Sequence, residues 1–177
     1  MAITIAVPDA LSELHAEHTY LASLFAELAR ESDAGRARGL LRTLYEELRA
    51  HSAAEQQVFY DVLAHSDAAR GLVRSAVTAH EHLCALAEEL LAAPPELPPW
   101  RETMRALQRA WAEHVAAEER NLFAVARSVV GGDGLRIMAV RLRDAAARWR
   151  EAECAGYHPG PGSGPPRLAP AEMRHWR

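Results

Sequence analysis

The chain has only two cysteines, Cys84 and Cys154, and no apolar run long enough to cross a membrane. Two isolated cysteines exclude a disulfide framework and a Cys-x-x-Cys site, as is usual in a reducing compartment. The N-terminus has no basic segment, and Pro8 and Asp9 end its short apolar run, so we expect no signal peptide. These absences predict a cytoplasmic protein with no membrane partner.

A large excess of positive charge is also missing. The formal net charge of the 177 residues is −4, and all 20 basic residues are arginines. Acidic residues dominate positions 1–119, whereas positions 120–177 carry more arginine than acid. Because polyanion-binding chains usually show a basic excess, we expect no nucleic-acid partner. The hydrophobic content of 49% is enough for the core of one ordinary domain.

Alternating strand patterns are absent, and helical periodicity dominates the sequence. Caps and breakers predict four long helices, at about 9–31, 36–64, 68–92 and 100–129. Either Asp9 or Ser12 can cap the first helix. The proline pairs at 94–95 and 98–99 predict a rigid connector, and the glycines from Gly131 to Gly134 end the fourth helix.

Short connections make neighbouring helices antiparallel, so we predict an all-α fold, an up-down-up-down four-helix bundle. We assign residues 1–130 to the bundle and residues 131–155 to an additional C-terminal helix. Residues 156–177 are rich in proline and glycine and predict a flexible tail.

The additional helix carries arginines seven residues apart, at Arg136, Arg143 and Arg150. The simpler interpretation is a solvated face. The alternative is a docking surface for an acidic partner or a phosphate.

One short arrangement occurs twice, as His51-Ser-Ala-Ala-Glu55 and as His114-Val-Ala-Ala-Glu118. On a helix, residues four apart lie about 40° apart on one face. Each motif therefore points an imidazole and a carboxylate in the same direction. Burying such groups is unfavourable unless they have partners, and a metal ion is a suitable one. The repeated motif predicts a metal centre inside the bundle.

The first and third helices each offer a matching histidine. Apolar residues follow His18 and His80 at the same offsets, +3, +6, +7 and +10, which makes these two histidines equivalent. His82 lies about 200° around the helix from His80, so we expect it on the surface. His15, one turn before His18, is a candidate hydrogen-bond donor to a ligand or a spare ligand.

Two further residues near the fourth-helix motif are candidates for contact with the ligands. Trp111, one turn before His114, could wall the pocket, although core packing also explains it. Asn121, near Glu118, is either a donor to a ligand or a boundary residue, and the sequence does not rank these alternatives.

With the order His, His-xxx-Glu, His, His-xxx-Glu, the chain resembles the hemerythrin-like (HHE cation-binding) family over about residues 9–128. The segments Glu-Gln-Gln-Val-Phe (55–59) and Glu-Glu-Arg-Asn-Leu-Phe (118–123) extend the match. The resemblance implies two non-haem iron ions, joined by an oxo or hydroxo bridge. It also implies terminal histidine ligands and bridging carboxylates, which are His18, His51, His80, His114, Glu55 and Glu118.

The sequence departs from the oxygen-carrying members of this family at Ala76, where those proteins have a further histidine one turn before the third-helix ligand. Two six-coordinate irons need about twelve metal–ligand bonds, of which these side chains supply about eight. Such an open site is typical of a reactive centre rather than a structural one. The missing histidine disfavours a simple reversible O2 carrier.

Three functions are compatible with the sequence. The first is a di-iron protein that binds or consumes O2, peroxide or NO, as a sensor, scavenger or store. The second is a di-iron oxygenase or oxidase that acts on a small organic substrate. The third is a metal-free helical interaction module. Whether the protein is an enzyme, for example a peroxide-consuming or oxygenase-type oxidoreductase, is left open at this stage.

Overall fold

The computed structural model describes residues 8–154, and it describes side chains as far as Ala152. This range is helical apart from short connections and contains no strand, which confirms the predicted all-α class. The long helices are α1 (Ala10–Arg30), α2 (Ala34–Ala54), α3 (Asp67–Ala92), α4 (Pro98–Ala117) and α5 (Phe123–Cys154). The predicted tail, 156–177, lies outside the described residues.

Two helices widen into π-helical turns directly at the repeated motif. α2 continues as a π-helix over Glu55–Tyr60 and then as a short α-helical turn, Asp61–Leu63. α4 continues as a π-helix over Glu118–Leu122 before α5 begins. Each π-helix therefore begins at the glutamate of a motif. Such turns are rare and are often found at functional sites.

The helix starts follow local side-chain chemistry. The Asp9 carboxylate accepts a hydrogen bond from the Ser12 backbone at 2.9 Å, and the Ser12 hydroxyl accepts one from the Asp9 backbone at 2.9 Å. Both predicted capping residues thus act together as a capping box. The prediction that Pro98 and Pro99 belong to a connector was wrong. They are the first residues of α4, where a fixed φ and a missing N–H are tolerated.

Within α5, Gly131 interrupts the helix with φ 71° and ψ 169°. The positive φ favours glycine, and it ends the fourth bundle helix where the sequence predicted. The segment after it, residues 132–154, is called the C-terminal arm below. Its buried face packs in one cluster with residues of α1 and of the π-helix after α2, through Leu135, Met138 and Leu142.

The arginines of the C-terminal arm form pairs within the chain. Arg143 pairs with Glu13 on α1, and an Arg150 nitrogen lies 2.6 Å from a Glu47 oxygen on α2. These contacts fasten the arm to the bundle, and they favour a structural role over the alternative of a surface for an acidic partner.

The described part of the bundle has two large apolar clusters, with a polar layer between them, and a small third cluster of Ala50, Ala53 and Trp149. One cluster contains Leu14 of α1 and Ala76 of α3, whereas the other contains Leu21 and Leu83 from the same helices. His18 and His80 lie between these positions. The buried polar layer is therefore enclosed by apolar side chains on both sides. No helix in the described range is both long and apolar enough to cross a membrane.

Candidate metal centre

The polar layer contains all six residues that the sequence predicted as ligands. One histidine comes from each of α1 to α4, and each π-helix supplies its first residue, a glutamate. Every one of the six is at most 4% exposed: His18, His51, Glu55, His80, His114 and Glu118.

The Glu55 carboxylate lies among three imidazoles. Its Oε2 is 3.2 Å from His80 Nε2 and 3.5 Å from His51 Nε2, and its Oε1 is 3.9 Å from His18 Nε2. The Nε2 atoms of His80 and His114 are 3.0 Å apart. Imidazoles from all four bundle helices therefore converge on one small volume.

The Glu118 carboxylate lies on the same volume. Its Oε2 is 3.3 Å from His18 Nε2 and 3.6 Å from His114 Nε2. Since His18 is close to both carboxylates, Glu55 and Glu118 border a common space. Helices α2 and α4 run parallel on a diagonal of the bundle, and this topology brings their glutamates together.

The donor atoms form two groups within which all atoms lie within 4.8 Å of one another. We call the first group the Glu55 half, and it contains His51, Glu55, His80 and His114. We call the second group the Glu118 half, and it contains His18, His114 and Glu118. His114 belongs to both. Each half thus offers several N and O donors to one cation.

Burial keeps two of the imidazoles neutral. It lowers the pKa of His80 well below 6.5, and the neighbouring histidines act in the same direction. Burial also lowers the pKa of His114 to about 4, against a smaller opposing effect of Glu118. A neutral imidazole has a free lone pair, which is the form that binds a metal ion.

The two carboxylates differ in pKa. Burial raises the pKa of Glu55 well above 4.5, and the charge of Glu118 adds to this effect. Burial also acts to raise the pKa of Glu118. The contact with His18 and the charges of the nearby imidazoles outweigh this effect, so the pKa of Glu118 is lowered. The pKa of His18 is raised because Glu118 and Glu119 outweigh the effect of its burial.

Six buried side-chain atoms in this layer have no hydrogen-bond partner. They are His18 Nε2, His51 Nε2, His80 Nδ1, Glu55 Oε1 and both carboxylate oxygens of Glu118. Unpaired buried polar groups are strongly unfavourable, and native structures contain few of them. Most are the atoms that face the common space, so the side chains present fit one or two metal cations. The mixed imidazole and carboxylate set is suited to iron and to zinc.

Two acidic residues that the sequence reasoning missed orient the ligand rings. His18 Nδ1 donates to Glu119 Oε1 at 2.9 Å, and His51 Nδ1 donates to Glu17 Oε2 at 3.1 Å. A carboxylate on the far nitrogen fixes the tautomer and leaves Nε2 for the metal. Glu17 and Glu119 are the sequence neighbours of His18 and Glu118, and this adjacency was the available signal.

Tyr60 was also missed. Its hydroxyl donates to Glu55 Oε2 at 2.8 Å, and its ring stacks on His80 at 5.7 Å. The residue is 2% exposed, and burial raises the pKa of its hydroxyl well above 10. An α-helical pattern does not predict this contact, because it joins residues five apart in a π-helix.

The other predicted contact residues differ in position. The Trp111 ring is buried and lies 5.6 Å from His18 and 5.7 Å from His114, so it walls the layer. His15 is exposed and contacts Glu119, with a separation of 2.9 Å. Asn121 is exposed at the mouth of a cavity described below.

His82, which the sequence placed on the surface, is exposed and lies in neither half. Cys84, one turn after His80, is a free and partly buried cysteine. Burial raises the pKa of its thiol to about 11, which leaves the thiol protonated at neutral pH.

A cavity of about 220 Å³ between α3 and α4 reaches the centre at two ligands, His114 and Glu118. Its rim and walls include Leu72, Ser75, Ala76, Ala79, His82, Ala110, Glu113, Ala117, Asn121 and Leu122. A second cavity, of about 240 Å³, lies at the end of the bundle near Leu28 and Trp100 and touches none of the six candidate ligands.

The sequence model of the family described as "Hemerythrin HHE cation binding domain" matches residues 9–126. A crystal structure of a hemerythrin HHE cation binding domain-containing protein from Mycobacterium kansasii has a TM-score of 0.75 and 19% identity. The structural match covers 84% of this chain and 91% of the Mycobacterium kansasii chain. At this identity the likeness shows the fold.

A curated protein named DNA nickase, from Nostoc sp., is 25% identical over 132 residues. The match covers 75% of this chain and 37% of that protein, so the chain spans well under half the length of this relative.

Proposed function

We propose, from the premise that the chain belongs to the hemerythrin HHE cation-binding family, that it is a non-haem di-iron protein which binds or reacts with O2, peroxide or NO. In this proposal the two halves of the centre each hold one iron ion. The terminal ligands are His18, His51, His80 and His114, and the shared carboxylates are Glu55 and Glu118.

One observation carries this proposal: buried and unpaired donor atoms from four helices converge on one small space. A metal-free interaction module would have no need of such a layer. Without a cation, Glu118 would be fully buried with no hydrogen bond to either oxygen. The convergence therefore supports metal binding over the metal-free alternative.

When bound, the two irons would supply the coordination and redox chemistry by which O2, peroxide and NO bind or react. The chain supplies the rest. Glu17 and Glu119 hold the His51 and His18 rings in orientation, and Trp111 and the apolar clusters exclude water. The Tyr60 hydroxyl holds a proton at Glu55 Oε2.

The size of the adjacent cavity separates the two reactive alternatives. Pockets for organic ligands usually measure about 300–1,000 Å³. The cavity that reaches His114 and Glu118 measures about 220 Å³ and has mostly apolar walls. This volume is below the usual range for organic ligands, which supports a small ligand over a dedicated oxygenase acting on an organic substrate.

The DNA-nicking activity in the name of the Nostoc relative is a property of that longer protein. We do not propose it here, because the chain spans only 37% of that protein and its net charge of −4 shows no overall basic excess for binding nucleic acid. A cytoplasmic location stays a prediction.

The test uses protein purified from iron-supplemented cells. We expect two irons per chain and a visible absorption band. Reduced protein exposed to O2 should become oxidised, and it should not return to the reduced state when O2 is pumped off. It should also consume added peroxide, and His114→Ala should abolish this consumption. The matched control is His65→Ala, which removes an exposed histidine bonded only to the Asp61 carbonyl.

Three results would change the assignment. Uptake of O2 that follows oxygen pressure reversibly would indicate a carrier. Negligible peroxide consumption, with O2 uptake only in the presence of an added organic compound, would indicate an oxygenase. Protein that retains no metal would overturn the proposal.

A further inference from the structure

The cavity between α3 and α4 exists because small residues face one another across these helices. On α3 the walls include Ala76 and Ala79, and on α4 they include Ala110 and Ala117. Ala76 and Ala79 are three residues apart and Ala110 and Ala117 are seven apart, so on each helix the two methyl groups lie on one face. Larger side chains at these positions would fill the space.

The same cavity runs from solvent to the candidate ligands. At its mouth Ser75, His82 and Asn121 are exposed, whereas Ala76, His114 and Glu118 at its inner end are buried. Glu118 is 2% exposed, and neither of its oxygens has a hydrogen-bond partner. A carboxylate without a hydrogen-bond partner therefore lies at the inner end of a passage with mostly apolar walls.

We propose that this cavity is the access route and holding site for the small ligand of the metal centre, and that Ala76 determines its width. The ligand class is a neutral molecule of two to four atoms, such as O2, NO or hydrogen peroxide. An apolar wall disfavours ions, because they would lose hydration without gaining partners. This inference rests on the proposed function, since it names the route by which the ligand of that centre enters.

The inner wall offers a direct test. Ala76→Leu should fill the buried end of the cavity, and Ala79→Leu should narrow it from a partly exposed position where folding is less at risk. The matched control is Ala85→Leu, which adds the same side chain to an exposed position on α3 outside the cavity. All three variants keep every candidate ligand.

The first measurement is the association rate of NO with the reduced, iron-loaded protein by stopped-flow absorbance. We expect both cavity variants to slow association by about tenfold or more at unchanged iron content, and the control to match the wild type. Rates within about twofold of the wild type in both cavity variants would overturn the proposal.

The second measurement needs no iron. Xenon binds apolar cavities, so ¹²⁹Xe NMR of the full chain should detect a site that Ala76→Leu and Ala79→Leu remove and Ala85→Leu retains, besides any xenon in the second cavity near Leu28 and Trp100. Xenon binding that is the same in both cavity variants as in the wild type would overturn the proposal. A protein that binds xenon in this way but retains no metal would instead show that the proposed function fails while the cavity stands.

Discussion

The Glu55 half and the Glu118 half arise from the same His-xxx-Glu motif, yet the structure surrounds them differently. Glu55 is fully buried, and its Oε2 accepts a hydrogen bond from Tyr60. Glu118 accepts no hydrogen bond and borders the cavity between α3 and α4. The pKa of Glu55 is raised and that of Glu118 is lowered. The Glu55 carboxylate is therefore enclosed and hydrogen-bonded, whereas the Glu118 carboxylate borders the cavity.

A single sequence position accounts for part of this difference. Tyr60 lies five residues after Glu55, and Phe123 lies five residues after Glu118. Their rings take equivalent roles, because Tyr60 stacks on His80 and Phe123 stacks on His18 at 6.2 Å. Only the tyrosine carries a hydroxyl. Two copies of one motif can therefore become unlike sites through the residue that packs beside them.

The largest effect should come from removing both carboxylates. Glu55→Ala with Glu118→Ala should abolish binding of both metals, because the remaining imidazoles lack the negative charge that offsets two cations. Glu118→Ala alone should leave about one metal per chain, in the half with more ligands. Metal analysis of the purified variants measures this, with Glu46→Ala and Glu102→Ala as exposed controls. Two metals per chain in the double variant would contradict the shared-carboxylate arrangement.

Metal removal should produce the next largest effect. At a metal concentration about a thousandfold above Kd, binding contributes about 4 kcal/mol to the free energy of unfolding. For a chain of this size, that corresponds to a rise of about 10 °C in Tm. Calorimetry of the apo and holo proteins measures the difference. Equal melting temperatures would favour the metal-free interaction module.

Two histidines on α3 should have unequal roles, because His80 belongs to the Glu55 half and His82 belongs to neither half. His80→Ala should weaken or bleach the metal spectrum, because His80 Nε2 lies 3.2 Å from Glu55. His82→Ala should leave the spectrum unchanged, since His82 is exposed. The visible spectra of the two variants at matched protein concentration decide the point, and the reverse pattern would show that the assigned helix register is wrong.

Metal affinity should depend on pH through the unlike carboxylates. Glu55 has a raised pKa, so below that pKa it holds a proton that a metal must displace. His18 also has a raised pKa and must lose a proton. The apparent affinity for metal should therefore increase as the pH rises above 4.5, the ordinary pKa of a glutamate. It should continue to increase above 6.5, the ordinary pKa of a histidine. Zinc titrations of the apo protein between about pH 5 and about pH 8 measure this, and an affinity that stays flat would argue against the raised pKa values.

The smallest effect should come from making the two halves more alike. Tyr60→Phe removes the hydrogen bond to Glu55, which contributes about 1 kcal/mol to stability, and should shift the visible spectrum while both metals stay bound. Tyr45→Phe is the matched control. The Tyr45 hydroxyl donates to Glu88 at 2.6 Å, and neither residue is a candidate ligand. The control should lose similar stability without any spectral change. Identical spectra for Tyr60→Phe and the wild type would show that the hydroxyl does not affect the centre.

The sequence by itself determined the helical class, the bundle topology and the helix ends at Asp9 and Gly131. These features follow from local chemistry, namely apolar periodicity, capping groups and a glycine with positive φ. It also identified the six residues that the structure gathers in the polar layer. The two His-xxx-Glu pairs follow because residues four apart on a helix share a face, and His18 and His80 follow because the same apolar offsets come after both.

Only the tertiary structure decided how these residues differ from one another. Glu17 and Glu119 reach their histidines across helices, and Tyr60 reaches Glu55 through a π-helical turn. The cavity beside Ala76 depends on the distance between α3 and α4. Arg143 and Arg150 of the C-terminal arm pair with acids more than 100 positions away in the sequence, whereas Arg136 pairs with its neighbour Asp133. Local periodicity does not contain such contacts, because they depend on how separate helices pack.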